Sequence, residues 1–379
     1  MLAIFIIFGF IFTFSTLAIG SLTAKQKITV PSNTVLEMKF NTAIGERGLE
    51  SPLEDLGVPV GPQGKMGLDK ILMAIEAAKT DDDVEGILLD LSVVSAGLVK
   101  VEEIREALSE FKEETDKFVI AYGEGMSQKA YYLATIADKI YINPAGVMEL
   151  KGFALELSFY KNMLAKLDVE PKIFKVGKFK SAVEPFILDK MSDENREQLQ
   201  TLLDDFYDQM VAEISKRRKV SEDEVNAIIN ELRIQDAEDA VEQKMIDGAK
   251  YYDEVLAEIK SNLGKDEDDE LKMMKLSKYI SAVDSDYSGY KKNKIAVVYA
   301  EGGIEGGKGD EETIGSDKYA AILRKIRRDD NVKAVVMRVN SPGGSALASE
   351  IIWREIEMLK KKGIPVVTSM GDLAASGGY

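Results

Sequence analysis

The chain has 379 residues, 45% of them hydrophobic, with 49 Lys+Arg against 65 Asp+Glu and a formal net charge of −16. That length allows two or three domains, the apolar fraction excludes wholesale disorder, and the acidic balance argues against nucleic acid as a partner, because phosphate binding needs a basic field. Cysteine and histidine are both absent, which excludes disulfides, thiolate nucleophiles, a Ser-His-Asp triad and the usual zinc sites. Hydrolytic chemistry would have to draw its base from Lys, Asp, Glu or Tyr.

From Met1 to Ala24 there is no charged side chain, and Leu2 to Ile19 reads LAIFIIFGFIFTFSTLAI, close to a bilayer span. No basic region precedes it, and Leu22-Thr23-Ala24 is a poor cleavage match, so residues 1–24 are expected to form an uncleaved transmembrane anchor. Lys25 and Lys27 follow the segment; taken alone they would leave the body of the protein in the cytoplasm.

The stretch Leu68–Ser92 recurs 248 residues later as Ser316–Asn340. Asp69, Lys70, Asp81, Asp82 and Val84 meet Asp317, Lys318, Asp329, Asp330 and Val332. Each copy predicts an amphipathic helix, an acidic turn and a short apolar strand, Gly86 to Leu91 in one and Ala334 to Val339 in the other. A second helix then leads to a second strand, Phe118 to Tyr122 and Pro365 to Ser369. Strands alternating with helices in this way predict an α/β fold with a largely parallel sheet, built as a tandem of two related units. Between the copies, Leu199, Leu202, Leu203, Phe206, Met210 and Ile214 form a helical stripe, and Ser221 with Glu224 has capping-box spacing. The expected domains are an N-terminal α/β unit with a helical extension over 25–260, a charged linker over 261–293 and the start of a C-terminal α/β unit over 294–379. The chain stops at Tyr379 just after a Gly-Gly, which reads as a fragment of a longer protein.

Chemistry in α/β sheets sits at the C-terminal ends of strands. In the second copy the first such turn is Asn340-Ser341-Pro342-Gly343-Gly344, whose backbone N–H groups would cradle an anion, although Pro-Gly-Gly also punctuates ordinary loops. The next is Gly371-Asp372-Leu373-Ala374-Ala375-Ser376-Gly377-Gly378-Tyr379, where a serine between small residues can present its Oγ or simply cap a helix. Together the two turns supply what acyl transfer requires. The first copy has Ser92-Val-Val-Ser-Ala-Gly97 in place of the glycine turn, and aligning Tyr132 with Tyr379 sets Lys129 opposite Ser376. It does carry three lysines among apolar residues, Lys175, Lys178 and Lys180. Most lysines are simply solvated along packed stems, but among these three Lys180 has the most apolar neighbours and the best case for a depressed pKa.

The motifs F-K-S-A-V-E-P-F at Phe179–Phe186, V-N-S-P-G-G at Val339–Gly344 and A-A-S-G-G-Y at Ala374–Tyr379 resemble the signal peptide peptidase A family, also called protease IV. The resemblance covers nearly the whole chain after the anchor. It implies a tandem of two Clp-protease/crotonase-like units, a membrane-anchored bacterial serine protease, and a catalytic body on the outer, periplasmic face of the cytoplasmic membrane, contrary to the charge pattern at Lys25 and Lys27. Carried over, Ser376 is the nucleophile, Lys180 the general base, and Gly344 and Gly377 supply the oxyanion-hole N–H groups. A Ser-Lys dyad suits a hydrolase without histidine. The implied substrates are signal peptides already released from their preproteins, and the implied assembly is a homotetramer, with the dyad formed within or between chains. Since the second unit is incomplete, the 379-residue form is expected to be inactive by itself. No Walker A sequence or metal-ligand cluster occurs, so neither cofactor nor metal is expected. Two other readings compete: a crotonase-like acyl-CoA enzyme, and a membrane scaffold with a degenerate site.

Overall fold

Continuous apolar runs become buried parallel strands here, and apolar stripes spaced three to four residues apart become the helices that cover them. The computed structural model of the chain describes residues 28–48, 66–283 and 292–379. The expected anchor at 1–24 lies outside them, and among the described residues no helix is long and apolar enough to cross a membrane. The chain divides into two compact units, one built from both ends (up to Ile120 and from Leu256 onward), the other from Ala121–Val255.

The first unit opens with β1 (Thr34–Phe40), β2 (Ile44–Gly45), β3 (Met66–Gly67), α1 (Leu68–Thr80), β4 (Val84–Val94) and α2 (Leu98–Glu114). β1 and β4 pair in parallel from Thr34↔Val84 to Phe40↔Val94, and β2 pairs with β3. Ile71 and Ile75 of α1, and Val101, Ile104, Leu108 and Phe111 of α2, are buried with Leu36, Met38, Ile87 and Leu89 of the strands. Each such side chain contributes roughly 1.5–3 kcal/mol. The chain passes into the second unit within β5 (Phe118–Gly123).

That second unit holds α3 (Gln128–Ala134), β6 (Lys139–Ile142), α4 (Lys161–Lys166), α5 (Glu184–Ile187), α6 (Asp193–Arg218), α7 (Glu222–Asn230), α8 (Ala237–Glu242) and β7 (Gly248–Ala249). β6 and β7 pair in parallel at Tyr141↔Gly248 and Ile142↔Ala249. The expected helical stripe is α6, of which Met210, Val211 and Ile214 are buried. The capping spacing is real at α7, where Ser221 Oγ accepts from Glu224 N at 3.2 Å. Asp247 fastens the C-terminal end of α6, accepting from Arg218 at 3.0 Å and from Ile140 N at 2.9 Å.

The chain returns through α9 (Tyr252–Asn262) to β8 (Met273–Lys275) and α10 (Leu276–Val283). Much of the stretch expected as a charged linker, 261–293, is therefore structured. β8 joins β1 in parallel over three residue pairs, and Tyr279 of α10, fully buried, donates its hydroxyl to Asp81 at 2.9 Å. A three-residue strand held by backbone bonds leaves little periodicity, and the acidic run before it hides the rest. Residues 284–291 lie outside the described ones.

The remainder is β9 (Lys294–Glu301), β10 (Gly303–Glu305), β11 (Thr313–Gly315), α11 (Ser316–Arg328), β12 (Val332–Ser341), α12 (Ala346–Lys361), β13 (Val366–Ala374) and a 3-10 turn at Ser376–Gly378. β12 is central and parallel to β9 and β13. The starts of α11, β12, α12 and β13 each fall 248 residues after those of α1, β4, α2 and β5. Both first helices are entered through an extended glycine, Gly67 and Gly315.

Candidate active site

β12 and β13 end side by side, and the two turns that follow them interlock. Their pairing runs from Val335↔Val366 to Ser341↔Ala374, and one step further Ala375 N donates to Ser341 O at 3.0 Å. Ser341 is fully buried; its Oγ donates to Gly302 O at 2.7 Å and accepts from Gly343 N at 3.1 Å. Asn340 Oδ1 accepts from Leu373 N at 3.0 Å, tying the other turn down.

Gly343 has φ +87°, and a Cβ there would stand 2.6 Å from Gly377 N and 2.8 Å from Ser376 Cβ. Its missing side chain is the space the serine turn fills. Gly344 presses on β10: Ile304 N donates to Gly343 O and Ser345 N to Ile304 O, both at 2.9 Å, so a Cβ at 344 would land on the Ile304 carbonyl. Ser376 itself has φ +54°, a left-handed conformation that costs a residue with a side chain on the order of 1 kcal/mol or more. Gly378 N donates to Ala375 O at 2.9 Å and Tyr379 N to Ser376 O at 3.1 Å, closing the turn.

Ser376, Gly344 and Gly377 are thus brought together and exposed, above buried Ser341 and Gly343. Neither Gly344 N–H nor Gly377 N–H donates to an acceptor among the described residues. A hydroxyl beside two such N–H groups can pair a nucleophile with an anion cradle.

Beneath these turns lies a set of buried charges. Glu46, Lys100 and Arg338 are all nearly inaccessible. Arg338 Nε donates to Glu46 Oε2 at 2.7 Å, its Nη2 faces Glu103 at 2.6 Å, and Lys100 Nζ lies 3.2 Å from Glu46 Oε1 and 2.6 Å from Asp372 Oδ2. Burial pulls the Lys100 ammonium down, but the Asp372 hydrogen bond and the charges of Glu46 and Asp372 outweigh it and hold Lys100 above the ordinary lysine range. Arg338 is raised likewise, its burial outweighed by Glu46 and Glu103.

Lys180 belongs to the second unit, exposed on a stretch, 171–183, that has no helix or strand. Phe174 and Val176 on the same stretch are 98% and 94% exposed. The stretch is anchored by Glu184, a buried carboxylate that accepts from Ser192 Oγ at 2.5 Å, Ser192 N at 3.2 Å and Asn195 Nδ2 at 2.9 Å. Burial pushes that carboxyl up; the Ser192 and Asn195 hydrogen bonds, with the nearby Lys175 charge, more than reverse this and hold it below the usual range. Sequence reasoning singled out Ser376, Lys180, Gly344 and Gly377 but gave no role to Ser341, Gly343, Glu184 or Asp372. All four lie inside the quoted motifs or turns, which was the available signal.

The fold and the turns define a class: an α/β protein with parallel strands that carries a serine at a strand end beside an anion cradle. Residues 111–265 match Peptidase family S49. Protease 4 of Haemophilus influenzae is 39% identical over 324 residues, 83% of this chain and 52% of that protein. Protease 4 of Salmonella typhi is 37% identical over 82% of this chain and 51% of its own, and the chloroplastic serine protease SPPA of Arabidopsis thaliana is 33% identical over 80% and 45%. The chain is thus similar to peptidase family S49 and, over most of its length, to these serine proteases. It spans about half the length of the curated relatives it matches. A solved enoyl-CoA hydratase/isomerase family member aligns at 11% identity, over 62% of this chain and 74% of that one, with a TM-score of 0.34, too loose a likeness to carry an argument.

Proposed function

We propose that the full protein is a serine endopeptidase working through Ser376 and Lys180. The amine of Lys180 accepts the proton of Ser376 Oγ as the oxygen attacks a peptide carbonyl, and the N–H groups of Gly344 and Gly377 hold the developing oxyanion. The protonated lysine then gives its proton to the departing amine as the C–N bond breaks. Water, deprotonated by the same lysine, hydrolyses the acyl-serine ester. The observation that carries this reading is Ser376 at φ +54°, against Gly343 and beside the undirected N–H groups of Gly344 and Gly377.

The substrates in this reading are signal peptides already cut from preproteins, and residues 1–24 anchor the protein in the bacterial cytoplasmic membrane with its body on the outer face. The two α/β units are tandem copies of a Clp-protease/crotonase-like fold that divide the dyad between them, a reading supported by the 248-residue spacing of their elements. The protein works as a homotetramer; the exposed Phe174 and Val176 beside Lys180 support another copy covering that stretch.

The test is hydrolysis of an apolar, signal-like peptide by the full-length, detergent-solubilised protein. Ser376→Ala abolishes hydrolysis, and Lys180→Ala lowers kcat by about 10³ or more with the fold intact. Undiminished hydrolysis by Lys180→Ala would mean that another base does the work.

A further inference from the structure

The starting point is Asp372, four residues before Ser376 in β13. Its Oδ1 accepts from Val99 N at 3.0 Å and Lys100 N at 3.5 Å, and its Oδ2 from Lys100 Nζ at 2.6 Å. Val99 and Lys100 are in the first turn of α2, whose own N-cap, Gly97, offers no side chain. Asp372 therefore caps a helix that begins 274 residues earlier (372 − 98).

The internal repeat shows how unusual this is. The position 248 residues after Gly97 is Ser345, which caps α12 itself by accepting from Ala348 N at 3.3 Å. In the first copy that serine is replaced by glycine, and a Cβ at 97 would land on the Asp372 carboxylate. Its φ of −71° is open to any residue. The glycine is there for space and not for backbone freedom. The same holds at Gly371, where a Cβ would stand 2.8 Å from Glu46 Oε1.

The grip continues inward. Lys100 reaches Glu46, Glu46 accepts from Arg338, and Arg338 Nη1 donates to Ser369 Oγ at 2.9 Å and to Met370 O at 3.5 Å. The stretch Ser369 to Asp372, in the second half of β13, is held by charged groups from β12, from α2 and from the residue following β2. Such contacts fix the strand end from which the Ser376 turn leaves.

We infer that Asp372 is a positioning residue for Ser376, seated by the N-terminus of α2 and by Lys100. The inference rests on the reading of Ser376 as the nucleophile. A displacement of about 1 Å at a reacting atom lowers a rate by about a hundredfold, so loosening this strand end should act on kcat more than on KM.

The experiment uses the full-length protein, with kcat and KM for peptide hydrolysis and the rate of Ser376 acylation by a fluorophosphonate probe, on variants of unchanged near-ultraviolet circular dichroism. Asp372→Asn and Lys100→Met each lower kcat and the acylation rate by about a hundredfold with KM within about twofold, and the double variant is no worse than the worse single one. Gly97→Ala alters no charge, yet displaces the carboxylate and gives the same kcat loss; it serves if either charge variant fails to fold. Wild-type kcat in folded Asp372→Asn or in Gly97→Ala would overturn the inference, as would losses that simply add. Ser376→Ala separates the two readings: activity retained there overturns the nucleophile assignment, whereas loss there with full activity in Asp372→Asn overturns only the positioning role.

Discussion

Ser341 uses its hydroxyl in both directions, donating to Gly302 O and accepting from Gly343 N, and no solvent reaches it. Ser341→Ala would leave the buried Gly343 N–H and the half-buried Gly302 carbonyl without this partner, a loss of about 1–3 kcal/mol. We expect a lower urea midpoint, together with slower acylation of Ser376, because Gly343 is the floor of that turn; equal midpoints for wild type and variant would contradict this. At this scale the sequence told part of the story. The V-N-S-P-G-G run and the small residues around Ser376 marked two turns that interlock, because close backbone approach demands small side chains wherever it occurs. Which glycine did what was not legible: Gly343 is needed for its positive φ and for the serine turn, Gly344 for its contact with β10. Nor does a serine announce a left-handed φ, since that conformation is imposed by the surrounding turn.

Helices and strands were the most legible part, since amphipathic periodicity survives in single sequences. Strand ends were not: β4 runs from Val84 to Val94 against an expected Gly86 to Leu91, as Ser92-Val93-Val94 extends the pairing beyond the apolar run. The capping spacing at α7 was right about Ser221, but Glu224 turns instead to Arg233, 2.7 Å away. Glu184 illustrates what such patterns miss. It joins α5 to the cap of α6 through three hydrogen bonds, across residues that carry no periodic signal. Its carboxyl is held below the ordinary value of 4.5, so between the two values the unfolded chain binds more protons than the folded one. The stabilisation is therefore present above pH 4.5 and is lost as pH falls through the folded value. Urea midpoints measured down the acid limb should fall less steeply for Glu184→Gln than for wild type; superimposable slopes would remove Glu184 from this role.

The whole molecule was legible in its α/β class, but not in how its contacts divide. Composition and periodicity are silent about which distant segments pack together, and here the first unit draws on both ends of the chain while the second is the middle. Three observations make that closure chemical as well as topological: Glu46 pairs with Arg338 across 292 residues, Lys100 with Asp372 across 272, and all these groups except Asp372 are deeply buried. The cluster has a consequence for the order of events at the ribosome. At about 5–20 residues per second, Lys100 emerges on the order of tens of seconds before Asp372. Throughout that interval the early segment carries a lysine and a glutamate destined for the interior whose outer counter-charges do not yet exist, and an uncompensated buried charge is strongly destabilising. A nascent chain arrested before Val332 should accordingly be cut by trypsin after Lys100, and one arrested well beyond Tyr379 should resist. Equal resistance in both would show that the early segment closes unaided. The early half of this protein is a structure held in suspense, completed by the same stretch of chain that delivers the serine.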